Sequence, residues 1–337
     1  MTSDLPAHCC ADAHFAVAGF GLPIPLGGIR RTVHLCKSTG YSLKEAAGAL
    51  GLSVSALKAR LPEYAMELAQ MALYLFFTCV FATLFQHPDS PIRHLVPNDT
   101  VRRACFGTFV GATIVAIVLT PWGKQSGGHL NPAMTFTFYR LGKMEFWDAI
   151  FYGVVQFAGA TASVVITTFL LLGAPGNPAI RYAATLPGIY GSGVAFIAEV
   201  AISFTLIFTV LIASNHNVLS RYTPYFVGTL YAIFITLETS LSVMSMNPAR
   251  TFGSAFRGRY WHVLWVYFLA PTLGMLIAAE LFLFIRGGIG PSCAKLHHAN
   301  DKRCIFCGGT QRVDPKKPLP SRQTSSIMKW PKWPCKP

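Results

Sequence analysis

Six long stretches of mostly apolar residues run through the middle of this chain of 337 residues. A helix needs roughly 20 apolar residues to cross the hydrocarbon core of a bilayer, and each stretch reaches or approaches that length. Only 12% of the residues are charged, about half the share in a typical soluble domain. The pattern therefore predicts an all-α membrane protein with six transmembrane helices, near 63–86, 104–121, 146–173, 191–214, 223–241 and 261–285.

Basic residues are concentrated at the two ends of the chain, and the formal net charge is +14. An even number of spans puts both ends on one side, and the positive-inside rule makes that side the cytoplasm. We expect a multi-pass protein of the plasma (inner) membrane with both termini cytoplasmic and no cleavable signal peptide. Arg102 and Arg103 then lie outside, which counts against this orientation.

Composition divides the chain into four predicted regions. The first is a cytoplasmic extension that is not membrane-like, and the second carries the spans in two halves. A short Cys- and His-rich stretch follows, and the basic end of the chain lacks the apolar periodicity needed for a packed core, which predicts disorder. The boundaries are 1–61, 62–286 with halves 62–173 and 191–286, 287–312, and 313–337.

The membrane region contains an internal duplication. The sequence His129-Leu-Asn-Pro-Ala-Met-Thr-Phe recurs as Ser245-Met-Asn-Pro-Ala-Arg-Thr-Phe, in each case after the second span of a three-span half. Each half also has a glutamate in its first span, Glu67 and Glu199. Because a half has three spans, the second copy enters from the opposite side, so the halves form an inverted repeat with its site at mid-membrane.

Both Asn-Pro-Ala copies are typical of helix starts, because Asn is a favoured N-cap and Pro is favoured at the first helical position. The apolar residues that follow are too few to cross a bilayer, so each copy predicts a re-entrant half-helix. Two such halves meeting at membrane depth imply a pore, and their positive N-termini would repel cations and hinder protons. The predicted pore motifs are Asn131, Pro132, Ala133, Asn247, Pro248 and Ala249.

Residues 62–286 resemble the aquaporin, or major intrinsic protein, family, through Ser126-Gly-Gly-His-Leu-Asn-Pro-Ala133 and Met246-Asn-Pro-Ala-Arg-Thr-Phe-Gly-Ser254. The resemblance implies an aquaporin-like right-handed bundle of six transmembrane helices and two half-helices, with one pore per chain and four chains per homotetramer. It implies passive flow of water or a small neutral solute such as glycerol, urea, ammonia or a metalloid hydroxide across the lipid bilayer. It implies no enzymatic activity and no cofactor for the channel.

The resemblance also implies a selectivity filter. The arginine directly after the second motif, here Arg250, forms the filter in the family, and ungapped spacing from the two asparagines gives Gly111, Ile235 and Met244 as its partners. Strict water channels have an aromatic residue and a histidine at the first two places, so this set indicates a wider opening. Thr251, where glycerol channels have an aspartate, points the other way, and the solute stays open.

Three further residues near the motifs have predicted roles. By the same resemblance, the buried carboxylates of Glu67 and Glu199 brace the backbone of the re-entrant loops. An intramembrane carboxylate is costly and needs such partners. His129, just before the first motif, is expected to line the inner pore vestibule. An active transporter would need a cluster of titratable coupling sites, and the spans contain none.

The segment 41–61 reads as two short amphipathic helices around a Gly-containing turn and resembles the promoter-reading module of RNA polymerase sigma factors. A membrane-tethered regulatory or DNA-binding protein is therefore the alternative function. We do not favour nucleic acid as a partner, because the rest of such a module is missing from the sequence.

Cysteine and histidine cluster after the last span. Thiolates with imidazole suit tetrahedral zinc, with iron or a redox dithiol as alternatives. The single Cys-x-x-Cys pair leaves unligated thiols as a further alternative. We predict a structural zinc bound by Cys293, His297, Cys304 and Cys307, with His298 also in the cluster.

Overall fold

The computed structural model describes residues 54–298 and 300–307. The chain divides into two compact units, Met1–Ala59 and Arg60–Pro337, and the fold below is that of the second unit. Most of the helix-turn-helix-like segment 41–61 and the whole of 313–337 lie outside the described residues. The predicted domain boundaries there stay predictions.

Eight principal helices make up the described chain. Short helices, Pro91–Leu95 and Pro121–Ser126 among them, lie in the connections. The principal helices are α1 (Val54–Gln86), α2 (Asp99–Leu119), α3 (Pro132–Arg140), α4 (Phe146–Leu170), α5 (Gly191–Ser214), α6 (Thr223–Glu238), α7 (Pro248–Gly258) and α8 (Leu264–Ile285).

Six of these helices are long and apolar enough to cross a membrane, within the residues that the structure describes. They are α1, α2, α4, α5, α6 and α8, the last two with a flanking turn, which confirms the six predicted spans and the all-α fold class. The second span begins at Asp99 rather than near 104, because Asn98 caps the helix and Asp99 pairs with Arg102 and Arg103. The two arginines are therefore tolerated in the first turn of a membrane helix.

The two remaining principal helices, α3 and α7, are the half-helices. They have 9 and 11 residues, and at about 1.5 Å per residue each covers roughly half of a 30 Å hydrocarbon core. Each half-helix packs against the last span of the other half, α3 against α8 and α7 against α4. The predicted inverted repeat is thus an interlocked structure in which neither half is complete alone.

Small residues let the spans approach closely. A Cβ atom added to Gly111 of α2 would lie 2.2 Å from the Gly228 carbonyl oxygen of α6. The same contact occurs at matched positions of the two halves, where a Cβ on Gly159 would lie 2.5 Å from the Leu68 oxygen and one on Gly274 would lie 2.3 Å from the Val200 oxygen. Close backbone contact of this kind drives helix association in membranes, where apolar side chains gain little from leaving lipid.

Candidate functional site

The N-termini of the two half-helices meet tip to tip. The Asn131 side-chain amide nitrogen donates to the Met246 carbonyl oxygen at 2.6 Å, and the Asn247 amide donates to the Leu130 carbonyl oxygen at 2.6 Å. The side-chain oxygen of each asparagine also accepts from its own helix, Asn131 from Ala133 N and Asn247 from the nitrogens of the two residues after the proline. Each asparagine therefore caps one half-helix and ties it to the loop of the other.

The residue before each asparagine has a strained backbone. Leu130 has φ 51° and Met246 has φ 53°, a left-handed conformation that costs a non-glycine residue roughly 1–2 kcal/mol. This conformation belongs to the very residues whose carbonyl oxygens receive the opposite asparagine amide. Strain of this kind therefore occurs at the point where the half-helices meet, and surrounding contacts must hold it in place.

Two buried glutamates hold these loops. Glu67 accepts the backbone N–H groups of His129 and Leu130 at 3.0 and 2.9 Å. Glu199 accepts those of Ser245 and Met246 at 2.6 and 2.7 Å. Further side chains donate hydrogen bonds to both carboxylates: Ser126 and Gln156 donate to Glu67, and Ser242 donates to Glu199. The two carboxylates thus bind equivalent loop positions in the two halves and fix the unusual backbone that precedes each asparagine.

Arg250 follows the second motif in the first turn of α7 and is only 4% exposed. Its Nε and Nη1 atoms are buried and have no hydrogen-bond partner among the described residues. Burying guanidinium N–H groups without an acceptor is costly, so such atoms indicate a missing partner such as water or a solute. The arrangement can donate hydrogen bonds to an oxygen and repel a cation.

Two tyrosines that the sequence did not single out stand beside this arginine. The Tyr74 and Tyr231 rings, from α1 and α6, meet edge to face with centroids 6.1 Å apart. Both hydroxyls are near enough to Arg250 to interact with it electrostatically. The only signal in the sequence was that Tyr74 lies two helical turns after Glu67 and thus on the same face of α1.

The predicted filter partners of Arg250 divide into two groups. Ile235 and Met244 are buried side chains in the second half. Gly111 instead lies at the crossing of α2 and α6, where its missing side chain faces the Gly228 backbone. Its role as a filter position that widens the opening stays a prediction. Counting along the chain from Asn131 does not fix the rotation of α2 about its axis.

The His129 side chain is only 3% exposed, because residues that follow the last span cover it. Its Nδ1 lies 3.1 Å from the Thr135 hydroxyl, and its Nε2 lies 2.8 Å from the carbonyl oxygen of Ala294, beyond the last span. The Phe306 ring stacks on the imidazole with centroids 5.6 Å apart and planes at 10°. The expected vestibule residue is therefore sealed by residues 292–298 and 300–307, which we call the tail segment.

The tail segment is attached to the helices at several further points. Arg303 donates to the fully buried carboxylate of Glu63 at 3.0 and 2.5 Å. The Leu296 N–H donates to the Gly127 carbonyl oxygen at 3.1 Å, and the Ser292 N–H donates to the Asn215 side chain at 2.7 Å. Spacing within the sequence gave no sign of these contacts, because they join residues far apart along the chain.

The tail segment also gathers a group of metal-ligating side chains. The ligand atoms of Cys293, His298, Cys304 and Cys307 all lie within 4.8 Å of one another. The Cys293 and Cys304 sulfurs are 3.4 Å apart, and the Cys307 sulfur is 3.9 Å from His298 Nε2. A tetrahedral zinc with bonds of about 2.0–2.3 Å separates its ligand atoms by roughly 3.5–3.8 Å. The set differs from the prediction in one member, since His298 is in this group and the adjacent His297 is not.

The crowding of these side chains changes the pKa of Cys293 and of His298. The hydrogen bond to Cys304, with burial and the nearby Cys307, raises the pKa of Cys293 well above its usual range. Hydrogen bonds to Cys304 and Cys307 raise the pKa of His298 to about 9. Three thiols and an imidazole this close together are a donor set that a divalent cation would neutralise.

The sequence matches the model of the family "Major intrinsic protein" over residues 53–282. It is 27% identical over 231 residues to Aquaporin NIP2-3 of Zea mays, covering 68% of this chain and 71% of the relative. It is 34% identical over 167 residues to glycerol uptake facilitator protein-like 6 of Lactiplantibacillus plantarum, covering 47% and 74%. The X-ray structure of the aquaglyceroporin from Plasmodium falciparum has a similar fold, with a TM-score of 0.54 at 20% identity over 66% of this chain and 95% of that one.

Proposed function

This chain belongs to the major intrinsic protein family, and from that premise we propose that its pore runs past the joined asparagines and is filtered at Arg250. As a member of the family it is a passive membrane channel for water and small solutes, and it is not an enzyme. The observation that carries the proposal is the reciprocal pair of hydrogen bonds between Asn131 and Asn247 and the opposite loops.

The asparagines would both join the half-helices and select the solute. Each amide nitrogen has two hydrogens, and the opposite carbonyl accepts one of them. The second hydrogen of the Asn131 amide would donate to a passing oxygen, and that of Asn247 would do so in place of its weak contact with the Met71 sulfur at 4.0 Å. Because the positive ends of α3 and α7 point at this place, a cation or a hopping proton meets an electrostatic barrier, whereas a neutral molecule does not.

The filter would combine one cationic donor with apolar walls. Arg250 offers N–H groups that have no acceptor among the described residues, while Ile235 and Met244 offer apolar surface. Gly111 stays our proposed fourth position, on the face of α2 that packs against α6, the helix that carries Ile235. Such a set suits small neutral solutes with a hydroxyl face and an alkyl face. The names of two similar proteins, a glycerol uptake facilitator and an aquaglyceroporin, support a solute of that class.

We also propose the orientation and assembly. Both termini would be cytoplasmic, as the basic ends of the sequence indicate. Arg102 and Arg103 are a weak objection, because both pair with Asp99 and Arg102 also donates to two carbonyl oxygens. A plasma (inner) membrane location and a homotetramer follow from the family resemblance. The comparisons give no support to a membrane-tethered DNA-binding protein.

The channel itself would need no cofactor, whereas the tail segment would bind one structural zinc. Cys293, His298, Cys304 and Cys307 would form a closed four-ligand site, which suits a structural rather than a catalytic metal. The ligand-atom separations support this assignment. Metal analysis of the purified full-length chain is the direct test.

Stopped-flow light scattering tests the channel proposal. Proteoliposomes would be exposed to an osmotic gradient to measure water flow, and then to gradients of glycerol, urea and ammonia to measure the flow of each solute. We expect rapid, gradient-driven and ion-independent flow of water, with glycerol passing more readily than urea. Permeability no higher than that of empty liposomes for every solute would overturn the proposal.

A further inference from the structure

The tail segment covers the pore motif at one end only. His129 precedes Asn131 by two residues, and we call the opening beside it the His129 mouth. Two tail residues contact the His129 ring, Ala294 through its carbonyl oxygen and Phe306 by flat stacking. Phe306 also meets the buried Tyr152 edge to face at 6.1 Å, and Ala294 and Leu296 belong to the apolar core of the channel.

We propose that the tail segment is a lid that closes the His129 mouth, and that a divalent metal bound by Cys293, His298, Cys304 and Cys307 holds it shut. This inference rests on the proposed pore, because a lid has a function only if the joined asparagines conduct. It adds regulation to that pore. Zinc loading favours the closed channel, and loss of the metal opens it.

The position of the contacts along the tail segment carries the proposal. Each of the three residues that bind the channel most directly is next to a cysteine of the cluster: Ala294 follows Cys293, Arg303 precedes Cys304, and Phe306 precedes Cys307. One metal ion would therefore fix all three contacts at once. The described part of the segment has no helix or strand, so its shape depends on side-chain and loop contacts, and a four-ligand metal would cross-link them.

The same contacts explain why the lid would stop flow. A water molecule that leaves the asparagines toward this mouth meets the imidazole of His129, both of whose nitrogens already have partners. The Phe306 ring covers the imidazole face and lies against Gly127, where an added Cβ would be 3.0 Å from the ring. We infer from these contacts that the segment blocks a file of hydrogen-bonded water at the His129 mouth until it moves.

The test compares metal-loaded and metal-free full-length protein in proteoliposomes. One preparation is loaded with zinc before reconstitution, and the other is stripped with a chelator that is then removed. Metal content is measured by elemental analysis and water permeability by stopped-flow scattering. If the loaded lid is open about one tenth of the time, stripping should raise permeability roughly tenfold, and zinc added back should reverse the rise.

Two variants separate the metal from the lid. Cys304→Ser with Cys307→Ser should lose the metal and conduct like stripped protein. Phe306→Ala should keep the metal and still conduct faster than the loaded parent. Cys105→Ser is the matched control, because Cys105 lies on α2 away from the cluster, and it should behave like the parent.

The outcomes that contradict the proposal are distinct. Equal permeability in the loaded, stripped and Phe306→Ala preparations, all well above empty liposomes, would overturn the lid while the channel stands. Absence of bound metal after zinc loading would overturn the metal site. If no preparation conducts above empty liposomes, the proposed pore fails, and the lid fails with it.

Discussion

Replacing Arg250 by alanine should cost the channel its discrimination while the fold survives. The side chain is buried at the start of α7, and its Nε and Nη1 atoms have no acceptor among the described residues. The substitution therefore removes few internal hydrogen bonds and leaves room beside Tyr74 and Tyr231. Its main effect falls on the solutes that pass.

The magnitude follows from Coulomb's law. A cation about 4 Å from a guanidinium is repelled by about 4 kcal/mol at an effective dielectric constant of about 20. Since about 1.4 kcal/mol corresponds to a tenfold change, the ceiling on increased cation leak is roughly a thousandfold. The half-helix N-termini still repel cations, so we expect a rise of about 10- to 100-fold. Glycerol and urea should pass faster, and water should change by less than about threefold.

The assay measures potassium flux with a trapped fluorescent indicator alongside stopped-flow permeability to water, glycerol and urea. Arg257→Ala is the matched control, because Arg257 lies on the same helix but is exposed and stacks over Tyr182 instead. It should leave all four permeabilities unchanged. If Arg250→Ala keeps the parent's ion exclusion and solute ratios, Arg250 is not in the filter.

Three further substitutions test the surrounding structure. Glu199→Gln should lower the thermal midpoint of the detergent-solubilised protein and reduce its water permeability. The carboxylate accepts three hydrogen bonds, whereas an amide accepts through one oxygen only, and each lost bond costs about 1–3 kcal/mol. An unchanged midpoint and an unchanged water flow would refute the bracing role. Gly111→Val should prevent normal packing of α2 on α6. The control Gly153→Ala, where an added Cβ meets nothing within 4 Å, should be neutral or stabilising by up to about 1 kcal/mol. Equal yields of folded protein from the two variants would contradict the close crossing of α2 and α6. A hydrogen bond from Arg60 lowers the pKa of Glu145, so this ion pair stabilises the fold above the unfolded pKa of about 4.3, and its contribution is lost as pH falls through the lower folded pKa. The Glu145→Gln variant should therefore lose less stability than the parent on acidification below about pH 4. Identical pH profiles of stability for the variant and the parent would argue against the pair.

Most of the fold was predictable because the signals are local. Six apolar stretches gave the six spans, and the two Asn-Pro pairs gave the starts of α3 and α7 from capping chemistry alone. The inverted repeat followed from counting spans between the copies of the motif. Each of these inferences depends on residues close together in the sequence, where hydrophobic length and helix capping act directly.

The site was less predictable, because its details depend on helix rotation and long-range contacts. Gly111 was placed by counting from Asn131, and only the folded bundle shows that this position packs against Gly228 of α6. His297 and His298 are adjacent, and only the folded tail segment decides which imidazole reaches the cysteines. The docking of Phe306 on His129 joins the segment after α8 to the loop before α3, and no periodicity or spacing reports such a contact.

The most direct measurement is an experimental structure of the full-length chain in lipid nanodiscs. We predict that Asn131 Nδ2 lies within hydrogen-bond distance of the Met246 carbonyl oxygen, near 2.6 Å. The reciprocal Asn247 contact should be present, and both should lie at the midplane of the bilayer. Half-helices whose asparagines are too far apart to share these bonds, or that lie outside the hydrocarbon core, would contradict this prediction.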